Sequence, residues 1–132
     1  MPLHPQHTYV RLADDGEALA LPADTFWQLP ASELAQHGQG WLVSEFAFTE
    51  DWPSWEMHPQ GDEFVYLLSG AVDLLLEQGT NVVTIALNGS GAVVVPRGVW
   101  HTAKVRAPSR MLHVTRGAGT ETRPVQPAPS KV

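Results

Sequence analysis

Between residues 41 and 117 the chain is cut into eight short strand-like segments, most of them ended by glycine- or proline-bearing turns, with almost no helical pattern among them. Nothing else in the sequence restricts the fold so tightly. Short strands at regular spacing close into a small all-β barrel or sandwich. WLVSEFAFT (41–49) alternates, with Leu42, Ser44, Phe46 and Phe48 on one face and Trp41, Val43, Glu45 and Ala47 on the other. SWEMH (54–58) is short and extended, and EFVYLLSG (63–70) is apolar on both faces, which predicts cover on both sides. Ser69-Gly70 predicts a tight turn, making a hairpin with AVDLLLEQG (71–79). TNVVTIAL (80–87), AVVVP (92–96), VWHTAKV (99–105) and RMLHVTRG (110–117) complete the series.

The flanks differ in character. Residues 1–40 read as an arm with one short strand at most and a short helix. Ser32 is the expected N-cap of that helix, and Gly38 and Gly40 close it. Phe26 and Trp27 are expected to pack this arm on the barrel of residues 41–117. His4 and His7, beside Pro2 and Pro5, are expected in solvent. The segment 118–132 is rich in Pro, Thr and Ser and reads as a flexible tail, or as an arm that crosses to a partner subunit.

With 132 residues and 43% hydrophobic content, the chain is sized for one domain with a core of its own. Eight basic against fourteen acidic residues give a net charge of −6, which argues against nucleic acid and anionic membranes as partners. The absence of cysteine excludes disulfides, thiolate ligands and a cysteine nucleophile. No secretory signal or membrane-length apolar run is evident, so a soluble cytoplasmic protein is expected.

Two clusters carry chemistry. In WEMHPQGDE (55–63), residues two apart share a strand face, so Glu56 and His58 point the same way. Pro59 to Asp62 is a turn, and Glu63 opens the next strand, expected to pair with the first as a hairpin. In PRGVWHTAKV (96–105), Pro96 and Gly98 form a turn and His101 follows. A lone strand histidine is most often a satisfied core or surface group. Two imidazoles and a carboxylate brought together, however, resemble the open facial triads of non-haem iron, which Mn, Ni and Zn also use.

These stretches resemble the two motifs of the cupin superfamily, small antiparallel jelly-roll β-barrels. Glu56-Met57-His58, four residues, Glu63, six residues and Gly70 follow the first motif, with Glu56 in place of its first histidine. Gly91, four residues, Pro96-Arg97-Gly98, two residues and His101 follow the second, with Val105 where asparagine is usual. The likeness spans roughly residues 41–117.

The resemblance implies a jelly-roll barrel in which His58, Glu63 and His101 ligate a divalent metal (Fe, Mn, Zn or Ni) and Glu56 fills the fourth position. Two carboxylates would cancel the charge of the ion and favour harder metals such as Mn or Fe over Cu. Alternatively, Glu56 is withdrawn from the metal as an acid or base, with its pKa raised by burial, or the site is metal-free. Val65, Leu67, Val93 and Val95 are expected to wall the pocket, with Arg97 at its mouth and His113 at its rim. Strand alternation places Trp55 and Trp100 outside the barrel, which argues for a homodimer covering them. The function expected is a metal-dependent oxygenase, isomerase or lyase acting on a small organic molecule. The alternative is a non-catalytic module that binds a sugar or small metabolite.

Overall fold

A computed structural model describes residues 2–126. In chain order the elements are β1 (Thr8–Leu12), β2 (Ala18–Pro22), α1 (Ala23–Phe26), α2 (Ala31–His37), β3 (Trp41–Phe48) and β4 (Ser54–Met57). These are followed by β5 (Glu63–Gln78), β6 (Asn81–Asn88), β7 (Gly91–Val95), β8 (His101–Thr115) and β9 (Glu121–Pro124). All strand pairings are antiparallel. Among the described residues no helix is long and apolar enough to cross a membrane.

Strands β5 and β8, of 16 and 15 residues, pair along almost their whole length and form the spine. The register slips between Leu67 and Val72, which divides the spine in two. On one side of the slip, the first part of β5 takes β7, and the end of β8 takes β3, which leads on to β1 and β2. On the other side, the second part of β5 takes β6, and the start of β8 takes β4, which carries β9. Val65, Leu67 and Met111 from the first half join Val72, Leu74 and Ala103 from the second in one buried cluster. Burying each of the large aliphatics there contributes roughly 1.5–3 kcal/mol. The result is a small antiparallel jelly-roll barrel, in line with the expected fold class.

Several local expectations are corrected. Ser69-Gly70 does not turn the chain back. The strand continues through it, because β8 pairs with β5 on both sides, and Gly70 fits the kink with φ of +99° where a Cβ would be 2.3 Å from Ser109 Oγ. Ser109 Oγ accepts from the Ala71 N–H at 3.0 Å and donates to the Ala107 carbonyl at 2.7 Å, satisfying backbone groups left by the slip. Residues 99–105 and 110–117 belong largely to the single strand β8 rather than to two. β4 does not form a hairpin with β5; it pairs with β8 and β9 instead. The arm holds two strands, and α2 begins at Ala31 with Pro30 in the N-cap position and no side-chain cap, so Ser32 lies inside the helix.

The segment expected to be a flexible tail contributes β9, while residues 127–132 of that tail lie outside the described residues. What holds β9 is Arg123. Its guanidinium lies 4.5 Å from the centre of the Trp100 ring and 5.4 Å from that of Trp55, and it is hydrogen-bonded to the Glu77 carboxylate. The outward tryptophans are therefore covered by the chain itself, which removes the reason for invoking a second subunit there. Arg123→Ala is expected to cost about 1–2 kcal/mol and to shift the tryptophan fluorescence. Unchanged emission and thermal midpoint would contradict this account.

Candidate metal centre and cavity

The site is assembled from strand ends. Glu56 stands on β4 directly opposite His101, the first residue of β8. His58 follows β4, and Glu63 is the first residue of β5. The two intervening turns are clamped together: the Gly98 N–H donates to the His58 carbonyl at 2.9 Å, and the Arg97 N–H donates to the Asp62 carboxylate at 2.8 Å. The residues ahead of the buried strand are thus fixed by one backbone and one backbone-to-side-chain hydrogen bond between the two motifs.

The four side chains converge. Glu56, His58 and His101 each offer a ligand atom within 4.8 Å of the others. Glu63 lies between the imidazoles, with Oε1 3.1 Å from His101 Nε2 and Oε2 3.4 Å from His58 Nε2. Glu56 is 3.8 Å from His58 Nε2. His58, Glu63 and His101 are buried, yet His58 Nε2, Glu63 Oε1 and His101 Nε2 have no hydrogen-bond partner in proper alignment. Unpaired polar atoms at such depth are costly unless something else joins them.

The surrounding hydrogen bonds turn these atoms inward. His101 Nδ1 lies 3.1 Å from the Val99 carbonyl, which only accepts, so Nδ1 carries the proton and Nε2 presents its lone pair in the neutral ring. His58 Nδ1 is held at 2.7 Å by Thr120 Oγ1, again leaving Nε2 for the site. The Thr115 hydroxyl donates to Glu63. A buried divalent ion fits this donor set, which supplies imidazole and carboxylate ligands backed by a second layer of hydrogen bonds.

The electrostatics agree. Burial by itself would raise the Glu63 pKa, but His101 and His58 outweigh it and hold the carboxyl well below the usual range. Burial would lower His101, but the Glu63 carboxylate overrides it and the pKa is raised. Glu56 is pushed up, first by burial and then by the negative charge of Glu63. His113, whose Nδ1 lies 3.9 Å from Glu63, is pushed down by burial and stays neutral at pH 7. A buried carboxylate between two imidazoles is balanced by positive charge, whether from a protonated imidazole or from an ion held between them.

No protein-family model and no curated protein matches the chain. Solved structures do. A hydroquinone 1,2-dioxygenase from Sphingomonas sp. TTNP3, with 4-hydroxybenzoate bound, superposes with a TM-score of 0.50 at 16% identity over 59% of this chain and 60% of that one. A recombinant oxalate oxidase in complex with glycolate gives 0.51 at 17% identity over 62% and 44%. A cupin superfamily protein from Desulfitobacterium hafniense DCB-2 gives 0.49 at 21% identity over 57% and 65%. The fold is that of the dioxygenase and the oxalate oxidase, a cupin fold. This chain matches less than two thirds of the length of each of these structures.

Within this cupin barrel a cavity of about 730 Å³ lies against the site and reaches Glu56, His58, Glu63 and His113. Phe26 and Trp27 in and after α1, Leu34 on α2, and Leu42, Phe46 and Phe48 on β3 also line it, with Phe46 and Phe48 beside His113. The pocket residues expected from the sequence divide accordingly. His113 lines the cavity, whereas Val65, Leu67, Val93 and Val95 do not: Val65, Leu67 and Val95 are core, and Val93 packs against it. Arg97 is exposed on its turn and is not part of the lining. The alternation of β3 foretold an apolar face, but nothing in the sequence said that this face, rather than β5, would wall the cavity. Thr115 and Thr120 were missed as supports, because their partners Glu63 and His58 lie 52 and 62 positions away.

Proposed function

We propose that the chain is a metal-dependent enzyme of the cupin fold, holding one divalent ion with His58, Glu63, His101 and Glu56 and acting on a small organic molecule in the adjoining cavity. The observation that carries this reading is the convergence of buried, unpartnered His58 Nε2, His101 Nε2 and Glu63 Oε1. Two carboxylates and two imidazoles favour Mn or Fe, with Zn and Ni also usable. When bound, the ion supplies Lewis acidity toward a substrate oxygen. The chain orients that ion through Val99, Thr115 and Thr120. Phe46 and Phe48 on β3 and Trp52 pack their rings against His113, and Trp52 also against His101. Glu56, the most exposed of the four with 39% of its side chain accessible, is the one best placed to leave the ion and take or return a proton at its carboxylate. That the dioxygenase and the oxalate oxidase share the fold puts oxygen chemistry within its range, although one barrel hosts many reactions.

The second reading is a passive binder of a small metabolite. It is favoured by Glu56 standing in the position of a motif histidine. Metal analysis of untagged protein separates the two. One ion per chain is expected after loading with Mn, Fe, Zn or Ni, and Glu56→His is expected to raise Zn or Ni affinity about tenfold. No stoichiometric ion in either protein would leave the passive binder standing. A homodimer and a cytoplasmic location remain part of the proposal. The former now rests on the outward pair Phe64 and Val94, 39% and 58% exposed, rather than on Trp55 and Trp100.

A further inference from the structure

The cavity contains an asymmetry of charge. Its lining includes the carboxylates of Glu50, Asp51, Glu56 and Glu63, and among the described residues no lysine or arginine. Four arginines are engaged elsewhere: Arg106 with Asp73, Arg110 with Glu45, Arg116 with Asp14 and Arg123 with Glu77. None of those four acids lines the cavity. Glu50 and Asp51 are exposed at its edge and form no ion pair among the described residues, and Asp51 is anchored by accepting the Val105 N–H at 2.7 Å.

A bound divalent ion does not reverse this sign, because Glu56 and Glu63 already balance its two charges. Away from the coordination positions of that ion, a carboxylate would therefore give up its hydration to a lining with no lysine or arginine and with Glu50 and Asp51 repelling it. An organic cation meets the opposite conditions. Beside the acids runs a continuous aromatic wall, with ring centres 6.5 Å apart from Trp27 to Phe46, 6.0 Å from Phe46 to Phe48 and 5.4 Å from Phe48 to Trp52. Such rings stack flat apolar bodies and attract cations.

We infer that the cavity takes an organic cation, a flat apolar body bearing a positively charged nitrogen, and discriminates against carboxylates of the same shape. This rests on reading the cavity as the substrate site, but not on the ion, since Glu50 and Asp51 supply the preference.

The test uses three probes on one ring: benzyltrimethylammonium, which is permanently charged and cannot coordinate a metal, benzyl alcohol and benzoate. Affinities are measured by calorimetry or ligand-observed NMR on the full chain, both metal-loaded and chelator-treated. In the chelator-treated protein benzyltrimethylammonium is expected to bind about tenfold more tightly than benzyl alcohol, and benzoate most weakly; in the metal-loaded protein the cation is expected to keep its advantage over benzyl alcohol. The preference should shrink with added salt and fall to near unity in the Glu50→Gln/Asp51→Asn protein. In the chelator-treated protein, benzoate binding as well as the cation, an undiminished ratio in the double variant, or no binding of any probe overturns the inference. A cation preference that persists in protein shown to bind no metal upholds it, and removes the enzyme reading instead.

Discussion

Replacing His101 with alanine is expected to weaken divalent-metal affinity by more than about 100-fold, beyond what loss of a supporting hydrogen bond produces. The residue is fully buried, its Nδ1 is committed to Val99, and its Nε2 faces Glu63 at 3.1 Å. No neighbouring group takes over that direction: the unpartnered Nε2 of His58 already serves the same centre, and His113 approaches Glu63 only to 3.9 Å. The metal-free variant should also lose about 3–5 kcal/mol, because the Glu63 carboxylate keeps its burial and loses its nearest balancing imidazole. Thr115→Val and Thr120→Val should lower metal affinity by about 10–100-fold while leaving one ion per chain. Calorimetric titration with Mn and Zn reads all three variants. Wild-type affinity in His101→Ala would remove His101 from the metal centre and, with it, the four-residue site.

The second large effect lies far from the metal. Gly70→Ala is expected to destabilise the protein by about 3 kcal/mol and to lower its thermal midpoint by about 10 °C. Two penalties combine there. The backbone has φ of +99°, which side-chain-bearing residues rarely adopt, and an added Cβ would lie 2.3 Å from Ser109 Oγ and 2.4 Å from the Pro108 carbonyl oxygen. Gly79, in the turn between β5 and β6, separates the two causes: its φ is +62°, but a Cβ added there would have no heavy atom within 4 Å. Gly79→Ala should therefore cost only about 1 kcal/mol. Equal thermal shifts for the two variants would show that the close approach of β5 to β8 contributes nothing.

Gly70 also shows how the same residue carries different information at different levels. Ser-Gly between apolar runs is a hairpin signal, and read locally it predicts a reversal. The long β8 strand pairs on both sides of it, so the chain instead kinks and runs on. The tail is a similar case. Its composition is that of a flexible segment, but Arg123 finds Trp55, Trp100 and Glu77, and those partners order a strand that propensity alone would not.

The sequence by itself determined the all-β class, because strand alternation has a period of two and turns punctuate it. The jelly-roll likeness and the quartet Glu56, His58, Glu63 and His101 were legible only through the resemblance of two short stretches to the cupin motifs. Tertiary structure alone decided what surrounds the site. The pairing of Glu56 with His101, the hydroxyls of Thr115 and Thr120, and the wall of Phe46, Phe48, Trp27 and Trp52 join residues far apart in the chain. The valines expected to line the pocket have the right parity but sit deeper, because burial depends on which sheet half lies opposite, and that is set by packing across the barrel rather than by any local pattern.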